Sequence, residues 1–321
     1  MSALDFPPIS LIIPNFNGSA LLKANLPAVL RAAADYPGTA AVIVVDDGSR
    51  DDSAALVRSE FPQVTLIEHP VNQGFAEAIH SGVAAAPTEV LVFLNSDVSP
   101  AQDFLAPLVG HFERPEIFSV TPLVLDKQGG CNEVSWRCYH LQSGRFRAMQ
   151  WAPPAIFNHP WKTLFASGGS MMLRKSMFTA LGGFLPIFKP FYSEDFDLGL
   201  RAWRRGWISL LEPRSRVVHD SGSGSIKTNI AAKYIRAVRI RNHFLLEWLH
   251  LPARDIWLRL LPGYLWRSAS RLVTFNWVYF AGLAGALIRL PEALRLRTEI
   301  QASATLDFWT LMADIEHSQH H

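Results

Sequence analysis

The sequence has few of the features that mark several classes of protein. Its 321 residues include only two cysteines, Cys131 and Cys138, so a disulfide-stabilised secreted scaffold is not expected. His140 lies near them, but a tetrahedral zinc site needs more ligands of this kind, and we interpret both cysteines as ordinary thiols of a reduced compartment. The formal net charge of +2 is too weak to indicate a nucleic-acid partner.

Motifs for targeting and for common cofactors are also missing. The first ten residues have neither a basic region nor a long apolar stretch, and they do not predict a signal peptide. No GxGxxG follows the first predicted strand and there is no GxxxxGK[ST], so a nicotinamide-dependent enzyme and a P-loop NTPase are disfavoured. The glycine-rich stretch 222–225 lies far downstream, and the terminal HSQHH is too short and mixed to indicate a metal site.

The sequence does have a regular alternation of strand and helix patterns over its first hundred residues. Apolar runs predict strands at 9–14, 41–47, 64–69 and 90–95, and helical spacing predicts helices at 19–34, 51–61 and 74–86. Strands that alternate with helices of this length are typical of βαβ units on a parallel sheet. The predicted fold class is therefore α/β.

Three of these predicted strands end in clusters that contain polar side chains, at 14–17, 46–49 and 95–97. Any one of the three clusters could be a helix cap or a turn. The carboxyl ends of neighbouring parallel strands, however, lie on the same edge of a sheet, where ligands of such folds bind. The pattern therefore predicts that the three clusters converge on one site.

Five segments occur together in an order and spacing that resemble a known family. They are LIIPNFNG, VVDDGSRDDS, VNQGFAEAIHSGV, VFLNSDV and FYSEDFDLGLRAWRRGW. The chain resembles the inverting, GT-A fold glycosyltransferases of family 2, and NSD with the later VVHDSGSGS resembles the rhamnosyltransferase-like branch of bacterial surface-polysaccharide assembly. The similarity covers about residues 9–225. It implies a mostly parallel central sheet flanked by helices.

The resemblance also implies a division of the chain and a set of ligand-binding residues. A GT-A domain is expected at 1–225, with a nucleotide-sugar half at about 1–115 and an acceptor half at about 116–225, followed by a helical extension at 226–321. Asp46 is expected to accept hydrogen bonds from the base or ribose, and Asp47 to be the local turn carboxylate. Nucleotide-sugar binding is assigned to Pro14, Asn15, Asn17, Asp46, Asn72, Gly74, Asn95 and Ser96.

Asp97 occupies the position of the family's metal-binding DxD motif. By resemblance it should coordinate Mg²⁺ or Mn²⁺ on the donor diphosphate, because hard oxygen ligands suit hard cations. The first position is Asn95, which supplies no charge, so a second ligand is needed. His219 is the candidate by resemblance; the alternative is an ordinary histidine at a strand end.

The segment from Ser193 onward is expected to carry the chemistry. Ser193 is predicted to cap a helix that begins with Glu194 and Asp195. The resemblance implies that Asp195 is the base that removes the acceptor hydroxyl proton and that Glu194 holds an acceptor hydroxyl or orients the base. Asp197 should face elsewhere, since positions i and i+2 of a helix do not share a face.

Few residues of the acceptor half are assigned a role. Gly168 and Gly169 are expected to allow a tight backbone beside the acceptor pocket, by resemblance. The irregular stretch 126–160 should decide acceptor specificity.

The last hundred residues differ in character. A helix is predicted at 231–250, and an uncharged run follows at 272–288. This run could span a membrane, lie at its interface or pack on the catalytic domain. An anionic membrane surface is favoured by the arginines Arg236, Arg239, Arg241, Arg259, Arg267, Arg271, Arg289, Arg295 and Arg297.

The resemblance therefore implies an inverting, metal-assisted glycosyltransferase with a dTDP- or UDP-sugar donor, and its rhamnosyltransferase-like branch makes L-rhamnose the leading sugar. The acceptor would be a glycan or a polyprenyl-linked glycan, presented to a cytoplasmic enzyme held peripherally at the inner face of the plasma membrane. One alternative is an inactive member that binds nucleotide sugars or scaffolds a synthase. A nucleotidyltransferase is a third hypothesis, for which the loop after the first strand is a poor match.

Overall fold

The fold is built on a mixed nine-stranded sheet. The computed structural model describes residues 6–131, 137–142, 145–150, 159–219 and 230–317. Its strands are β1 (Ile9–Asn15), β2 (Ala40–Asp46), β3 (Thr65–Glu68), β4 (Val90–Leu94), β5 (Val98–Pro100), β6 (Ile117–Leu125), β9 (Trp161–Lys162), β10 (Ser170–Arg174) and β11 (Ile208–His219). The sheet has the order β3-β2-β1-β4-β10-β6-β11-β5, and β9 pairs with β11.

The first four strands form the parallel half of the sheet. Strands β3, β2, β1 and β4 are neighbours and pair in parallel, and every residue of β4 is buried. The connecting helices are α1 (Ser19–Asp35), α2 (Ser53–Glu60) and α3 (Phe75–Ala85). Because helices cover both faces of such a sheet, its strands are continuously apolar. The prediction of an α/β sheet with parallel βαβ units is confirmed.

The second half of the sheet is mixed. β10 runs antiparallel between β4 and β6, β11 is parallel to β6, and β5 pairs antiparallel with the end of β11. Short helices α4 (Leu105–Val109) and α5 (Lys175–Ala180) lie before β6 and after β10, and α6 (Glu194–Arg204) precedes β11. A separate hairpin is formed by β7 (Arg137–Gln142) and β8 (Arg145–Gln150).

Helices of the C-terminal region pack on this second half. The long helices are α7 (Ala232–His250), α8 (Leu261–Val273), α9 (Trp277–Ile288), α10 (Leu290–Ala302) and α11 (Phe308–His317). Phe196 and Trp203 of α6 share one buried apolar cluster with Leu245 and Leu249 of α7 and Phe308 of α11. Each such side chain contributes about 1.5–3 kcal/mol by its burial. The helix that carries the predicted base therefore rests on the C-terminal region.

The uncharged run at 272–288 is not one helix. The backbone turns at Phe275, where φ is 50°. Asn276 then caps α9, its side chain accepting a hydrogen bond from the backbone N–H of Tyr279 at 3.2 Å. Gly282 allows α9 to approach Ile240 of α7 closely. Across the described ranges, no helix is both long and apolar enough to cross a membrane.

Candidate active site

Polar side chains meet where β1 and β2 end. Asn15 and Asp46 are register partners, and both are almost fully buried. The Asn15 amide donates to Asp46 Oδ1 at 2.9 Å. Pro14 lies one residue earlier on β1, and the edge of this cluster touches the end of β4, because Gly18 lies against both Asn15 and Ser96. The ends of β1 and β2 are therefore in contact, and the loop after β1 lies beside the end of β4.

Asp46, the last residue of β2, and Asp47, which follows it, make different contacts. Asp46 makes the local turn contacts, accepting hydrogen bonds from the Ser49 hydroxyl at 2.6 Å and the Ser49 N–H at 3.1 Å. Asp47 instead accepts hydrogen bonds from the N–H groups of Gln73 and Gly74, at 2.9 and 2.8 Å. The expectation that Asp47 is the local turn carboxylate is wrong. Successive residues of a strand point to opposite sides, so only one of the pair can face the turn.

The three loops around this edge are tied to one another. Asn17 Oδ1 accepts a hydrogen bond from the N–H of Arg50, and the Asn17 N–H donates to Ser49 Oγ at 2.8 Å. Gly74 has a φ of +95°, which favours glycine, and it directly precedes α3. Asn72 is exposed on the same loop. Asp46 keeps unused acceptor capacity beside these loops, since a carboxylate has about four lone-pair sites.

The predicted metal ligands are neighbours. Antiparallel pairing of β5 with the end of β11 places Asp97 beside His219, and His219 Nε2 lies 3.3 Å from Asp97 Oδ2. Asp97 is 9% exposed, and its Oδ1 has no hydrogen-bond partner among the residues that the structure describes. Within those same residues no group of three or more His, Cys, Asp or Glu side chains forms a metal cage.

This donor set fits a divalent cation shared with a ligand. Mg²⁺ and similar cations are commonly held by one or two protein groups together with substrate phosphates and waters. The orphaned oxygen of Asp97 and the nearby ring nitrogen of His219 would supply two such groups. The segment at 220–229 that follows His219, including the predicted GSGS, lies outside the described residues.

Six of the predicted site residues line a single cleft. They are Asn95, Gly168, Gly169, Glu194, Asp195 and His219. Phe75, the first residue of α3, also lines this cleft and connects it to the loop that contains Asn72 and Gly74. The Asn95 N–H donates to the Gly169 carbonyl at 2.9 Å, and a Cβ at Gly169 would come within 2.8 Å of the Asn95 amide. The close backbone expected at Gly169 is therefore required by Asn95.

Asp195 lies at the start of α6 and faces Gly168. Its Oδ2 accepts a hydrogen bond from the Gly168 N–H at 3.2 Å, and its Oδ1 accepts one from the Phe196 N–H at 2.8 Å. A helix N-terminus favours an ionised carboxylate, because its N–H groups point toward the charge. The arrangement suits a carboxylate that accepts a proton from a hydroxyl in the cleft.

Glu194 has a different electrostatic character from its neighbour. Burial, followed by the negative charge of Asp195, raises the pKa of Glu194 to about 8. Its Oε2 is buried without a hydrogen-bond partner in the described part of the chain. A carboxyl that burial keeps protonated can donate a hydrogen bond beside a neighbouring base.

The helix start before these residues is unusual. Ser193 precedes α6 with a φ of 77°, and Tyr192 has a φ of 72°. Among the described residues Ser193 makes no side-chain capping hydrogen bond, so the expected Ser193 cap is wrong. A normal cap has extended backbone, whereas two consecutive left-handed residues turn the chain sharply here. Each such non-glycine residue costs about 1–3 kcal/mol and needs support from its surroundings.

Asn242 of α7 provides that support, and motif comparison alone missed it. Its Nδ2 lies 3.1, 3.0 and 2.7 Å from the carbonyl oxygens of Phe188, Phe191 and Tyr192. Arg241 Nε donates to Asn242 Oδ1 at 2.9 Å, which fixes the orientation of the amide. Arg241 is buried rather than part of a basic surface, and burial lowers its pKa to about 10. In the sequence, both residues stand in the mostly polar run RIRNH at 239–243, which does not distinguish them from a solvated helix face.

Asp197 points away from the cleft, as predicted. It is fully buried, and it accepts hydrogen bonds from Arg201 Nε at 2.7 Å and His250 Nε2 at 2.8 Å. Burial acts to raise the pKa of Asp197, but the Arg201 charge and the His250 hydrogen bond hold it below its usual range. Asp197 therefore fastens α6 to α7.

The sheet order and the cleft define a GT-A fold, which solved structures share. One is GalNAc-T7 with UDP, GalNAc and Mn²⁺, with a TM-score of 0.59 and 17% identity over 78% of this chain and 49% of that chain. Another is the mannosyltransferase PcManGT from Pyrobaculum calidifontis in complex with GDP-Man and Mn²⁺, with a TM-score of 0.56 and 18% identity over 98% of this chain and 86% of that chain.

Residues 10–182 match the family model described as Glycosyl transferase family 2, which covers more than half of the chain. The chain belongs to glycosyltransferase family 2. It is 32% identical over 184 residues to a pre-mycofactocin glycosyltransferase of Mycobacterium tuberculosis, and the match spans 56% of this chain but only 37% of that relative. It is 26% identical over 218 residues to the N-acetylglucosaminyl-diphospho-decaprenol L-rhamnosyltransferase of the same species, covering 60% of this chain and 69% of that relative.

Proposed function

We propose that this protein transfers a sugar from a nucleoside-diphosphate donor to a hydroxyl of a glycan or lipid-linked acceptor, with inversion at the anomeric carbon. The observation that carries the proposal is the cleft itself. Asp195 faces the same cavity as Asn95 and His219, and His219 contacts Asp97. A base and a diphosphate-binding edge thus flank one space.

The proposed step needs one base. The acceptor oxygen attacks the anomeric carbon from the face opposite the diphosphate, its proton passes to the Asp195 carboxylate, and the bond between the sugar and the diphosphate breaks. A divalent cation on Asp97 and His219 would supply neutralisation of the charge that collects on the departing diphosphate. A neutral Glu194 carboxyl would donate a hydrogen bond to an acceptor oxygen and leave Asp195 as the ionised partner.

For the donor, we propose a dTDP- or UDP-sugar, with L-rhamnose first. Asn15 Nδ2 donates to Asp46, so Asn15 Oδ1 and the Asp46 carboxylate are left as neighbouring acceptors, which complement the N–H group of a pyrimidine edge. The likeness to the decaprenol-linked rhamnosyltransferase supports the sugar and a polyprenyl-linked acceptor. Such an acceptor would place the enzyme at the cytoplasmic face of the plasma membrane, where nucleotide sugars are available.

A thermal-shift panel tests the proposal. Nucleoside diphosphates and their sugars are compared with and without Mn²⁺, because a ligand that binds only the folded state raises the melting temperature. We expect dTDP or UDP compounds to give the largest shift and Mn²⁺ to increase it. Release of nucleoside diphosphate in the presence of acceptor then separates an enzyme from an inactive nucleotide-sugar-binding member. Stabilisation by no nucleotide in the panel would overturn the proposal.

A further inference from the structure

The outward side of α8 exposes an apolar stripe. The stripe consists of Leu265, Trp266, Leu272 and Val273, which are between 57% and 78% exposed. The pairs 265/272 and 266/273 are seven residues apart, so they lie on one side of the helix, two turns from each other. Large aromatic side chains continue the exposure beyond both ends of the helix: Trp257, Phe275 and Trp277 are 68%, 73% and 64% exposed.

The inward side of α8 combines polar contacts with the Tyr264 ring, which packs against Phe244 of the buried apolar cluster at 5.1 Å. The Tyr264 hydroxyl donates to Glu247 Oε2 at 2.6 Å, and Ser268 Oγ lies 3.2 Å from the Tyr279 hydroxyl. Arg267 stacks over the Tyr264 ring at 5.2 Å. A helix on the surface of a soluble domain normally buries its apolar face and exposes its polar one. On α8, by contrast, Leu265, Trp266, Leu272 and Val273 face water, and contiguous exposed apolar surface of this kind marks an interaction site.

The charge of this region indicates the partner. Between Asp255 and Glu292 the sequence has four arginines, Arg259, Arg267, Arg271 and Arg289, and no acidic residue. Tryptophan beside arginine is typical of the boundary between lipid and water, where an apolar ring and a charged head are both satisfied. We propose that the apolar stripe of α8 and its flanking tryptophans dock on an anionic lipid bilayer, with α8 lying in the plane of the interface. The proposal extends beyond the transfer reaction and does not depend on it.

A second copy of the chain fits this surface less well. A two-fold dimer contact uses the same patch on both subunits. It would bring Arg267 and Arg271 toward their own copies, and residues 256–291 contain no acidic side chain to compensate them, whereas Arg259 already pairs with Asp255 at 3.3 Å. Lipid phosphates supply the missing negative charge and can reach the arginines while acyl chains cover the stripe.

Vesicle flotation of the full chain tests the proposal. The probes are phosphatidylcholine vesicles, either pure or with about 30% phosphatidylglycerol. We expect the protein to float with the anionic vesicles, and the variant L265S/W266S/V273S to lose about tenfold in partitioning. These side chains are exposed, so the variant should fold. The matched control, L265M/W266F/V273L, keeps the apolar surface and should float like the unmodified protein.

The arginines are tested separately. The variant R259Q/R271Q should bind the anionic vesicles more weakly, and high salt should weaken binding of the unmodified protein in the same direction. Equal flotation of the serine variant and the unmodified protein would overturn the proposal. An unmodified protein that floats with neither kind of vesicle would also overturn it. If light scattering shows a dimer and the serine variant is a monomer, the stripe is instead the contact with a second copy.

Discussion

The cleft and the outward side of α8 depart from ordinary folding in opposite directions. In the cleft region the buried oxygens Asp97 Oδ1, Glu194 Oε2 and Asn15 Oδ1 have no partner within the described residues. On α8, large apolar side chains such as Trp266 and Val273 face water. An unpaired buried polar group costs about 1–3 kcal/mol, and exposed apolar surface costs about 25 cal/mol per Å². Each region therefore carries an unfavourable free energy that a bound partner would remove. The partner would be polar at the cleft and apolar at α8.

The largest effect on the cleft should come from Asp195→Asn. The amide cannot accept the acceptor proton, so turnover should fall by about 10²–10⁴ while nucleotide affinity stays nearly unchanged. Nucleoside diphosphate release and nucleotide-induced thermal shift measure the two quantities. Asp52→Asn, at an exposed position before α2, is the control and should behave like the unmodified protein. Normal turnover in Asp195→Asn would reject Asp195 as the base.

Asp97→Ala should have the next largest effect, because it removes a proposed ligand of the divalent cation. Removal of the carboxylate leaves His219 as the one predicted protein ligand, so turnover should fall at least about tenfold. The part of the nucleotide thermal shift that requires Mn²⁺ should also disappear. A metal-dependent shift that survives in Asp97→Ala would place the cation elsewhere.

Asn242→Ala should show that a residue of the C-terminal region positions the start of α6, which lines the cleft. Loss of the amide frees the carbonyls of Phe191 and Tyr192 and loosens the start of α6. We expect kcat to fall about tenfold, because small displacements of a base are costly, while the KM for the donor changes little. Arg236→Ala, exposed on the same helix, is the control. An equal change in donor affinity would indicate general destabilisation rather than positioning.

The smallest effect concerns the pH dependence of stability. Since the pKa of Glu194 is raised to about 8 in the folded protein, the folded state holds this proton more tightly than the unfolded chain does. The contribution of Glu194 to stability is therefore complete at low pH and is lost as pH rises from about 5 to 8. Urea unfolding of Glu194→Gln should lack this decline. Parallel pH profiles for the variant and the unmodified protein would show that folding does not raise the pKa of Glu194.

Local patterns predicted the parallel half of the sheet well, because a strand buried on both faces and an amphipathic helix are each encoded within ten or so residues. They did not predict how Asp46 and Asp47 divide their contacts, since the direction of a side chain at a strand end depends on its neighbours. They also missed the insertion of β10 antiparallel between β4 and β6. The roles of the predicted site residues stay predictions until the variants are measured.

The sequence by itself determined the α/β class, the polar strand ends and the pair Glu194 and Asp195, because residue type and short-range spacing carry that information. Only the tertiary structure decided that His219 meets Asp97, that Asn242 holds the turn before α6, and that α8 exposes its apolar side. These facts depend on contacts between residues about 15 to 120 positions apart or on which side of a helix is covered. Periodicity reveals that a helix has two faces, but packing alone decides which one meets water.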